Sequence, residues 1–403
     1  MAYTLGLSLK NKESLRIERN EVGDLDKSSV YQVIDGVRFI SICSIIWGHC
    51  LLGWQNREFI GFQDNFIYSC VLQLGKLGTI NFFLISGFLL ADKLDVYSVS
   101  SYFKKRLRST YLPFLFFIYV FAVYKLRLGV EFLADGDYSG ALHHLYVILI
   151  GTLFYSSYWF IPVFFISTSV IIAFKQFVFK AWFGIILALI SLAYCMNLHE
   201  HWFEVSHTKA LFGYTFFIWL GVYINRHIYR LTIFLEQLSW TAINAVLLAT
   251  FCLACYEGHV LLEQGSIDPF SSLRFSNALF GITFFFVLVK FGRINFLKRF
   301  NPQKNVFAIF LIQNILVFES MAYLNPYADK AFATFDLKML LLIQCVFFVI
   351  IFNVNYFLAA KLTSSPFSWL AGKVNNKAKD FNRSVIMGNK KLKPKLPSKI
   401  HLN

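Results

Sequence analysis

Long apolar stretches recur along most of this chain. Clear examples run over 112–123, 183–194, 242–255 and 339–354, where charged residues are few or absent. With its flanking residues, each stretch approaches the roughly 20 residues that a helix needs to cross a bilayer. A shorter stretch, 141–155, is instead predicted to be an interfacial or re-entrant helix. The pattern predicts an all-α, polytopic membrane protein of about ten spans, near 32–54, 68–91, 110–129, 158–174, 181–197, 208–225, 239–259, 273–291, 304–323 and 338–361.

Composition supports a membrane protein over a soluble one. Hydrophobic residues make up 57% of the 403 residues and charged residues 15%, whereas soluble chains carry roughly 25% charged residues. The seven cysteines fall in or beside apolar stretches, which indicates small buried side chains and not a disulfide framework. The net charge of +15 would suit nucleic acid, but the basic residues are spread over loops and the C-terminal tail, so no nucleic-acid partner is expected.

The distribution of Lys and Arg predicts the topology. With the N-terminus inside, the predicted cytoplasmic segments hold 29 of the 38 Lys and Arg residues and the outer segments hold 7. Cytoplasmic loops of membrane proteins carry such an excess. We therefore predict both termini in the cytoplasm, a plasma or inner-membrane location, and the bilayer as a constant partner. The domains predicted are a cytoplasmic tail over 1–31, a transmembrane domain over 32–362 and a basic tail over 363–403.

The first predicted span carries ionisable residues. Arg38 and His49 are eleven residues apart, so in a helix they share one face and lie about 16 Å apart along the axis. Ionisable side chains in a span usually face a bundle interior or a wet cavity. Asp35, one turn before Arg38, suits pairing with that arginine. The alternative is structural: Arg38 reaches the inner surface beside Asp35, and His49 bonds to a neighbouring helix.

A dense basic cluster precedes the third predicted span. Lys104, Lys105, Arg106 and Arg108 stand shortly before Pro113. The topology rule explains basic residues here in general, but not their density. The functional alternative is a site for the phosphates of coenzyme A (CoA), because Lys and Arg clusters bind phosphates well.

Several of these patterns together resemble the acyltransferase-3 family. They are an Arg, ten residues and a His in the first span, then Phe-Phe-Leu-Ile-Ser-Gly-Phe over 82–88, an Arg-rich approach to proline, and Tyr-Trp-Phe-Ile-Pro over 158–162. Residues 212–223 and 305–313 are similar to later family stretches. The resemblance runs from about 31 to 325 and is closest to the stand-alone branch, similar to polysaccharide intercellular-adhesin modifying proteins and fucose O-acetylases. The chain departs from the family pattern at Phe310, in place of a tyrosine, and at Gln313, in place of a histidine.

The resemblance implies an O-acyltransferase, most simply an O-acetyltransferase. Acyl-CoA, either acetyl-CoA or another such as succinyl-CoA, would enter from the cytoplasm as the donor substrate, with no permanently bound cofactor. The acceptor would be a hydroxyl of an extracytoplasmic polysaccharide or other glycan. Arg38 and His49 would be functional, with Asp35 beside them. Histidine suits the chemistry because it can take the hydroxyl proton or briefly carry the acyl group.

Polar residues of the predicted outer loops are candidates for contact with the sugar, although solvated loop residues are the simpler explanation. The loop histidines are a poor signal for a metal, and no metal site is expected. The acidic and aromatic candidates are Asp64, Glu131, Asp135, Asp137, Glu200, Trp202 and Glu204, and the histidines are His199, His201 and His207.

Two other classes of protein compete with the enzyme. A secondary transporter or flippase for a sugar or lipid-linked glycan would also have about ten spans and buried charge. It does not account for a basic cluster together with a histidine and an arginine on one helical face. A non-catalytic membrane scaffold has no need of Arg38 and His49 in the same span.

Overall fold

The computed structural model describes residues 27–52, 62–126, 136–154, 156–205, 210–331 and 335–372. Within these residues the regular structure is entirely helical, which confirms the predicted fold class. The N-terminal residues 1–26 and the basic tail beyond 372 lie outside the described residues, so the predicted cytoplasmic tails stay predictions.

Twelve α-helices of eight residues or more form the described part of the chain, and short 3-10 turns join several of them. A π-helical turn, Leu107–Tyr111, makes α3 and α4 nearly continuous. The helices are α1 (Lys27–His49), α2 (Phe62–Ala91), α3 (Val99–Arg106), α4 (Leu112–Leu126), α5 (Tyr138–Phe154), α6 (Phe160–Ala173), α7 (Ala181–Glu200), α8 (Thr215–Gln237), α9 (Trp240–Glu263), α10 (Phe275–Phe291), α11 (Pro302–Ala331) and α12 (Leu337–Ser364).

Within the described residues, seven segments are long and apolar enough to cross a membrane, so the protein is a multi-pass membrane protein. They contain α1, α2, the α3–α4 pair, α7, α9, α11 and α12. Helices α5 and α6 qualify only together, and a bend of 63° separates them. This bend suits the predicted interfacial or re-entrant helix over 141–155.

The three remaining predicted spans correspond to α6, α8 and α10, which do not qualify singly. The 17-residue α10 is short, and polar residues such as Asn225, Arg226 and Arg230 lower the hydropathy of α8. The count of ten and the inner location of the termini therefore remain predictions.

Glycines bring α2 into close contact with its neighbours. A Cβ atom added to Gly87 would lie 1.9 Å from the carbonyl oxygen of Ile218 in α8. A Cβ on Gly75 would lie 2.4 Å from the Cα of Gly48 in α1. Small residues allow such backbone contact between helices in a membrane, where packing and not apolar burial drives association. The Gly87 contact holds α2 against α8 and the Gly75 contact holds α1 against α2, and the candidate site lies where α1 meets α2.

Candidate functional site

The unbroken helix α1 places Arg38 and His49 in two different cavities. Arg38 lines a large one, the Arg38 cavity, and His49 lines a small one, the His49 cavity. At 1.5 Å per residue, the eleven-residue separation corresponds to about 16 Å along the axis. The prediction that both side chains face open space is consistent with this geometry.

The Arg38 cavity has a volume of about 740 Å³ and is rich in positive charge. Four basic residues and a single acid, Asp35, are among its lining residues. Arg38 donates a hydrogen bond from Nη1 to Asp35 Oδ1 at 2.5 Å, which holds both groups at the wall. The basic residues are Arg38, Arg106, Lys298 and Lys304.

The structure brings only one residue of the predicted basic cluster to this wall. Arg106 lines the cavity, and its guanidinium lies 5.4 Å from the centre of the Tyr102 ring. Lys104, Lys105 and Arg108 are exposed and are not among the lining residues. Lys105 is instead bonded to the hydroxyl of Tyr97 at 2.5 Å. A role for these three in phosphate binding stays a prediction.

Two further cations, Lys298 and Lys304, were not singled out by the sequence analysis. Both lie in the basic stretch over 290–304, which precedes and begins α11. In the sequence, the topology rule by itself accounts for the positive charge of this stretch. Lys304 donates from Nζ to the Ser364 hydroxyl at 2.9 Å, so its position is fixed by the end of α12. The density of charge over 290–304 was a signal for these residues, but their closeness to Arg38 depends on the tertiary fold.

The His49 cavity has a volume of about 90 Å³ and contains a second ionisable residue from a membrane span. His49 ends α1, and its exposed side chain faces the cavity beside Lys76 of α2. Gly48 and Gly75 also line it, and their close contact fixes the spacing of the two helices here. The other lining residues are Ile45, Thr79, Phe82, Ser157, Trp159, Phe160, Ser272 and Phe310.

Three phenylalanines line both cavities and therefore stand between them. They are Phe82, Phe160 and Phe310, from α2, α6 and α11. The ring centres of Phe82 and Phe160 are 6.1 Å apart, and those of Phe160 and Phe310 are 5.7 Å apart, both with edge-to-face geometry. Such packing is favourable for aromatic rings. The three rings form what we call the aromatic partition.

Helix α11 positions the turn that leads into the partition. Asn314 accepts a hydrogen bond from the Ser157 hydroxyl at 2.7 Å and donates one to the Ser156 oxygen at 3.2 Å. The buried Tyr158 hydroxyl donates to the Leu311 carbonyl at 2.7 Å. These bonds tie the start of α6, including Phe160, to the helix that carries Phe310.

A buried arginine organises another wall of the His49 cavity. Arg274 is fully buried and donates from Nη1 to the Ala254 carbonyl at 2.6 Å and from Nη2 to Gln73. Its charged guanidinium also donates from Nε to the Ser271 carbonyl at 3.3 Å. The charge fixes the turn before α10, and that turn presents Ser272 to the cavity.

Gln313 stands where the family pattern has histidine, and it lines neither cavity. It is buried, and both ends of its side-chain amide have no hydrogen-bond partner. Its position gives it no direct part in the two cavities.

The candidate outer-loop residues do not form one cluster. Glu200, Trp202 and Glu204 are exposed, Asp64 is half-buried, and Asp137 accepts a hydrogen bond from the Gly140 amide at the start of α5. His199 is bonded to Glu257 at 3.0 Å. The structure places no three metal-binding side chains together within the residues that it describes. Glu131, Asp135 and His207 lie outside those residues.

The sequence profile of the acyltransferase-3 family, described as an acyltransferase domain, matches residues 31–360. The matched region contains α2 to α11 and most of α1 and α12, and it includes every residue that lines the two cavities except Ala371 and Gly372. The chain belongs to the acyltransferase-3 family. This confirms the resemblance drawn from the motifs of the first, second and third spans.

Curated relatives match over a shorter region. Over 153 residues the chain is 24% identical to proteins of Staphylococcus aureus strains Mu50 and MSSA476, each named a probable poly-beta-1,6-N-acetyl-D-glucosamine export protein. The alignment covers 36% of this chain and 40% of each relative. The chain thus matches less than half the length of these relatives. No solved structure matches the chain.

Proposed function

We propose that this protein is a membrane O-acyltransferase that moves an acyl group, in the first instance acetyl, from acyl-CoA to a hydroxyl of a glycan across the membrane. The observation that carries the proposal is the arrangement along α1. One helix gives Arg38 to a large cationic cavity and His49 to a small cavity, with only the aromatic partition between them.

The Arg38 cavity suits the nucleotide end of acyl-CoA. A pyrophosphate and a 3′-phosphate need several cations, and four line this cavity against one acid. Guanidinium groups pair with phosphates through two parallel hydrogen bonds, while ammonium groups act as point charges. In our proposal Arg38, Arg106, Lys298 and Lys304 hold the phosphates, and Asp35 orients Arg38.

The His49 cavity suits the acyl transfer itself. The pantetheine arm is long enough to extend past the aromatic partition while the phosphates stay at Arg38. There a neutral imidazole takes the proton of the acceptor hydroxyl as the oxygen attacks the thioester carbon. The C–O bond forms, the C–S bond breaks, and the CoA thiolate recovers the proton from His49. Transfer through an acyl-histidine is the covalent variant of the same assignment.

The distribution of charge supports an orientation for this reaction. The Arg38 cavity lies at the end of α1 that follows the basic tail, and Arg106, Lys298 and Lys304 belong to segments that the topology rule assigns to the cytoplasm. The donor cavity would therefore open towards cytoplasmic acyl-CoA. The His49 cavity would open towards the other side of the cell membrane.

The Staphylococcus aureus relatives supply a first acceptor to test. The name of these relatives refers to poly-beta-1,6-N-acetyl-D-glucosamine. We propose a polysaccharide that contains N-acetylglucosamine as the starting point, because its free hydroxyls are acceptors of the required chemistry. The choice of acetyl as the acyl group rests only on the family resemblance, so succinyl-CoA should be compared with acetyl-CoA as donor.

These relatives are named as probable export proteins, which favours a second candidate function, the export of a glycan. An exporter needs a passage that a sugar can follow from one side of the membrane to the other. Here the two cavities are separated by Phe82, Phe160 and Phe310, and the smaller has a volume of only about 90 Å³. An exporter also has no need of a cationic pocket and a histidine on one helix.

A sealed-vesicle assay separates the two functions. Purified protein is reconstituted into liposomes that contain poly-N-acetylglucosamine fragments, and labelled acetyl-CoA is added outside. We expect label on the trapped fragments while the fragments remain inside. Release of unlabelled fragments without acetyl transfer would support export and contradict the enzyme. Liposomes that contain the His49→Ala protein serve as the control.

A further inference from the structure

Lys76 is an unusual residue for the middle of a membrane helix. It is the fifteenth residue of the 30-residue α2, within a segment that qualifies as a membrane span. No carboxylate forms an ion pair with Lys76 in the described part of the chain, although Asp268 and Arg274 influence its charge. An ionisable residue at such a depth is costly and usually serves a function.

The packing of α1 against α2 places Lys76 beside His49. The two residues directly follow Gly48 and Gly75, whose backbones are in contact. Both line the cavity of about 90 Å³. With no side chain between the two backbones, the helices approach as closely as they can. A larger residue at either glycine would separate the imidazole from the ammonium group.

The remaining walls of this cavity favour an electrostatic role for the ammonium group. Four of the twelve lining residues are aromatic, namely Phe82, Trp159, Phe160 and Phe310, and none of the twelve carries a carboxylate that would pair with the ammonium group. A cavity of this volume holds the reacting carbonyl and a short acyl group, but not a whole sugar chain. Among the described residues that line this cavity, where the thioester would react, Lys76 is the only lysine or arginine.

We infer that Lys76 is a second catalytic residue, whose ammonium group donates a hydrogen bond to the oxyanion of the tetrahedral intermediate. This inference rests on the proposed acyl transfer. When the acceptor oxygen attacks, the carbonyl π electrons move to oxygen, and the negative charge develops next to Lys76. As the C–S bond breaks, the carbonyl re-forms and the charge leaves with the CoA thiolate, which His49 protonates. Lys76 keeps its protons throughout.

The competing explanation is structural. Lys76 would then only balance the charge of Asp268 in the outer part of the protein. The two explanations differ in what Asp268→Asn does. If Lys76 serves only as a counter-ion, removal of both charges should restore stability and activity. If Lys76 is catalytic, the double variant should fold and remain inactive.

The experiment compares wild type with Lys76→Met, Lys76→Arg and the Lys76→Met/Asp268→Asn double variant. Membranes of cells that produce each protein supply the native glycan, labelled acetyl-CoA is the donor, and label on the glycan gives the rate. CoA affinity and the thermal midpoint of the purified proteins report on folding. Loss of an oxyanion donor lowers a catalytic rate by about 100- to 1,000-fold. We expect that loss for Lys76→Met with CoA affinity unchanged, and partial activity for Lys76→Arg.

Three results would overturn the inference. The first is transfer of label by Lys76→Met at the wild-type rate. The second is recovery of activity in the double variant. The third is a loss of CoA affinity and thermal stability together with activity in all the Lys76 variants. Each of these assigns Lys76 a structural role or none. If wild type itself transfers no label, the proposed function fails, and not the role of Lys76 alone.

Discussion

Arg38 and His49 stand on the same face of one unbroken helix but line different cavities, a cationic one of about 740 Å³ and a small one of about 90 Å³. In the proposed reaction, an acyl group held on the Arg38 side would pass the aromatic partition to reach an acceptor on the His49 side. The relationship between the two residues separates binding of the donor from transfer, so each step has its own residues and its own variants.

Arg106→Ala should weaken CoA binding, because Arg106 is the one residue of the predicted cluster that lines the Arg38 cavity. A lost charge-assisted contact costs about 1.5–3 kcal/mol, or at least about tenfold in affinity. The control is Arg108→Ala, two residues along and exposed. Isothermal titration with CoA measures both. Equal losses at the two positions would show that bulk charge, and not the cavity, binds the nucleotide.

Lys298→Ala and Lys304→Ala should each weaken CoA binding in the same way, although the sequence analysis did not single out either residue. The neighbouring Arg299, whose guanidinium lies 4.1 Å from the centre of the Phe296 ring, is not among the lining residues and supplies the control. Because charge attracts the phosphates, wild-type affinity should fall as salt rises. Wild-type affinity in both lysine variants would remove α11 from the proposed donor site.

Gly75→Ala should destabilise the protein and reduce transfer. The added Cβ would lie 2.4 Å from the Gly48 Cα, so α1 and α2 must separate. Overpacking of this kind costs about 1–3 kcal/mol. The control is Gly151→Ala in α5, where a Cβ meets nothing within 4 Å. Thermal midpoints in detergent measure both variants, and a Gly75→Ala protein as stable as wild type would contradict the close contact.

Phe310→Ala should connect the two cavities. With one ring of the aromatic partition removed, water reaches the thioester, and acetyl-CoA should be hydrolysed without acceptor. Phe310→Tyr keeps the ring and restores the tyrosine of the family pattern, so it should resemble wild type. Release of CoA thiol in the absence of glycan is the measurement. Hydrolysis no faster in Phe310→Ala than in wild type would show that the partition does not exclude water.

Much of the fold could be predicted from hydropathy, and the reason for the remainder is physical. Spans such as 239–259 and 338–361 are apolar throughout, so any bilayer-length window detects them. Helix α8 carries the exposed Arg226 and the half-buried Asn225, which donates to the Phe88 carbonyl of α2, and α6 continues from α5 through a bend. Length and hydropathy do not identify such segments as spans, because their polar groups find partners on other helices and therefore lower the hydropathy without preventing burial.

The site was predictable to the extent that its residues share one element. Arg38 and His49 lie on one helix, so their spacing alone placed them on one face. Lys76 and Lys304 come from other helices, and only the packing of α2 and α11 against α1 brings them near. The basic cluster shows the same limit: density indicated phosphate binding, but helical phase decides that Arg106 reaches the cavity and Arg108 does not.

The most direct test of the account is the rate of acyl transfer by the His49→Ala protein. Its purified form is reconstituted with labelled acetyl-CoA and the native glycan, beside wild type and His199→Ala, an exposed histidine bonded to Glu257. Loss of a general base lowers the rate by about 100- to 10,000-fold. We predict that loss in His49→Ala alone, with CoA affinity and thermal stability as in wild type. Transfer by folded His49→Ala at the wild-type rate would contradict the account.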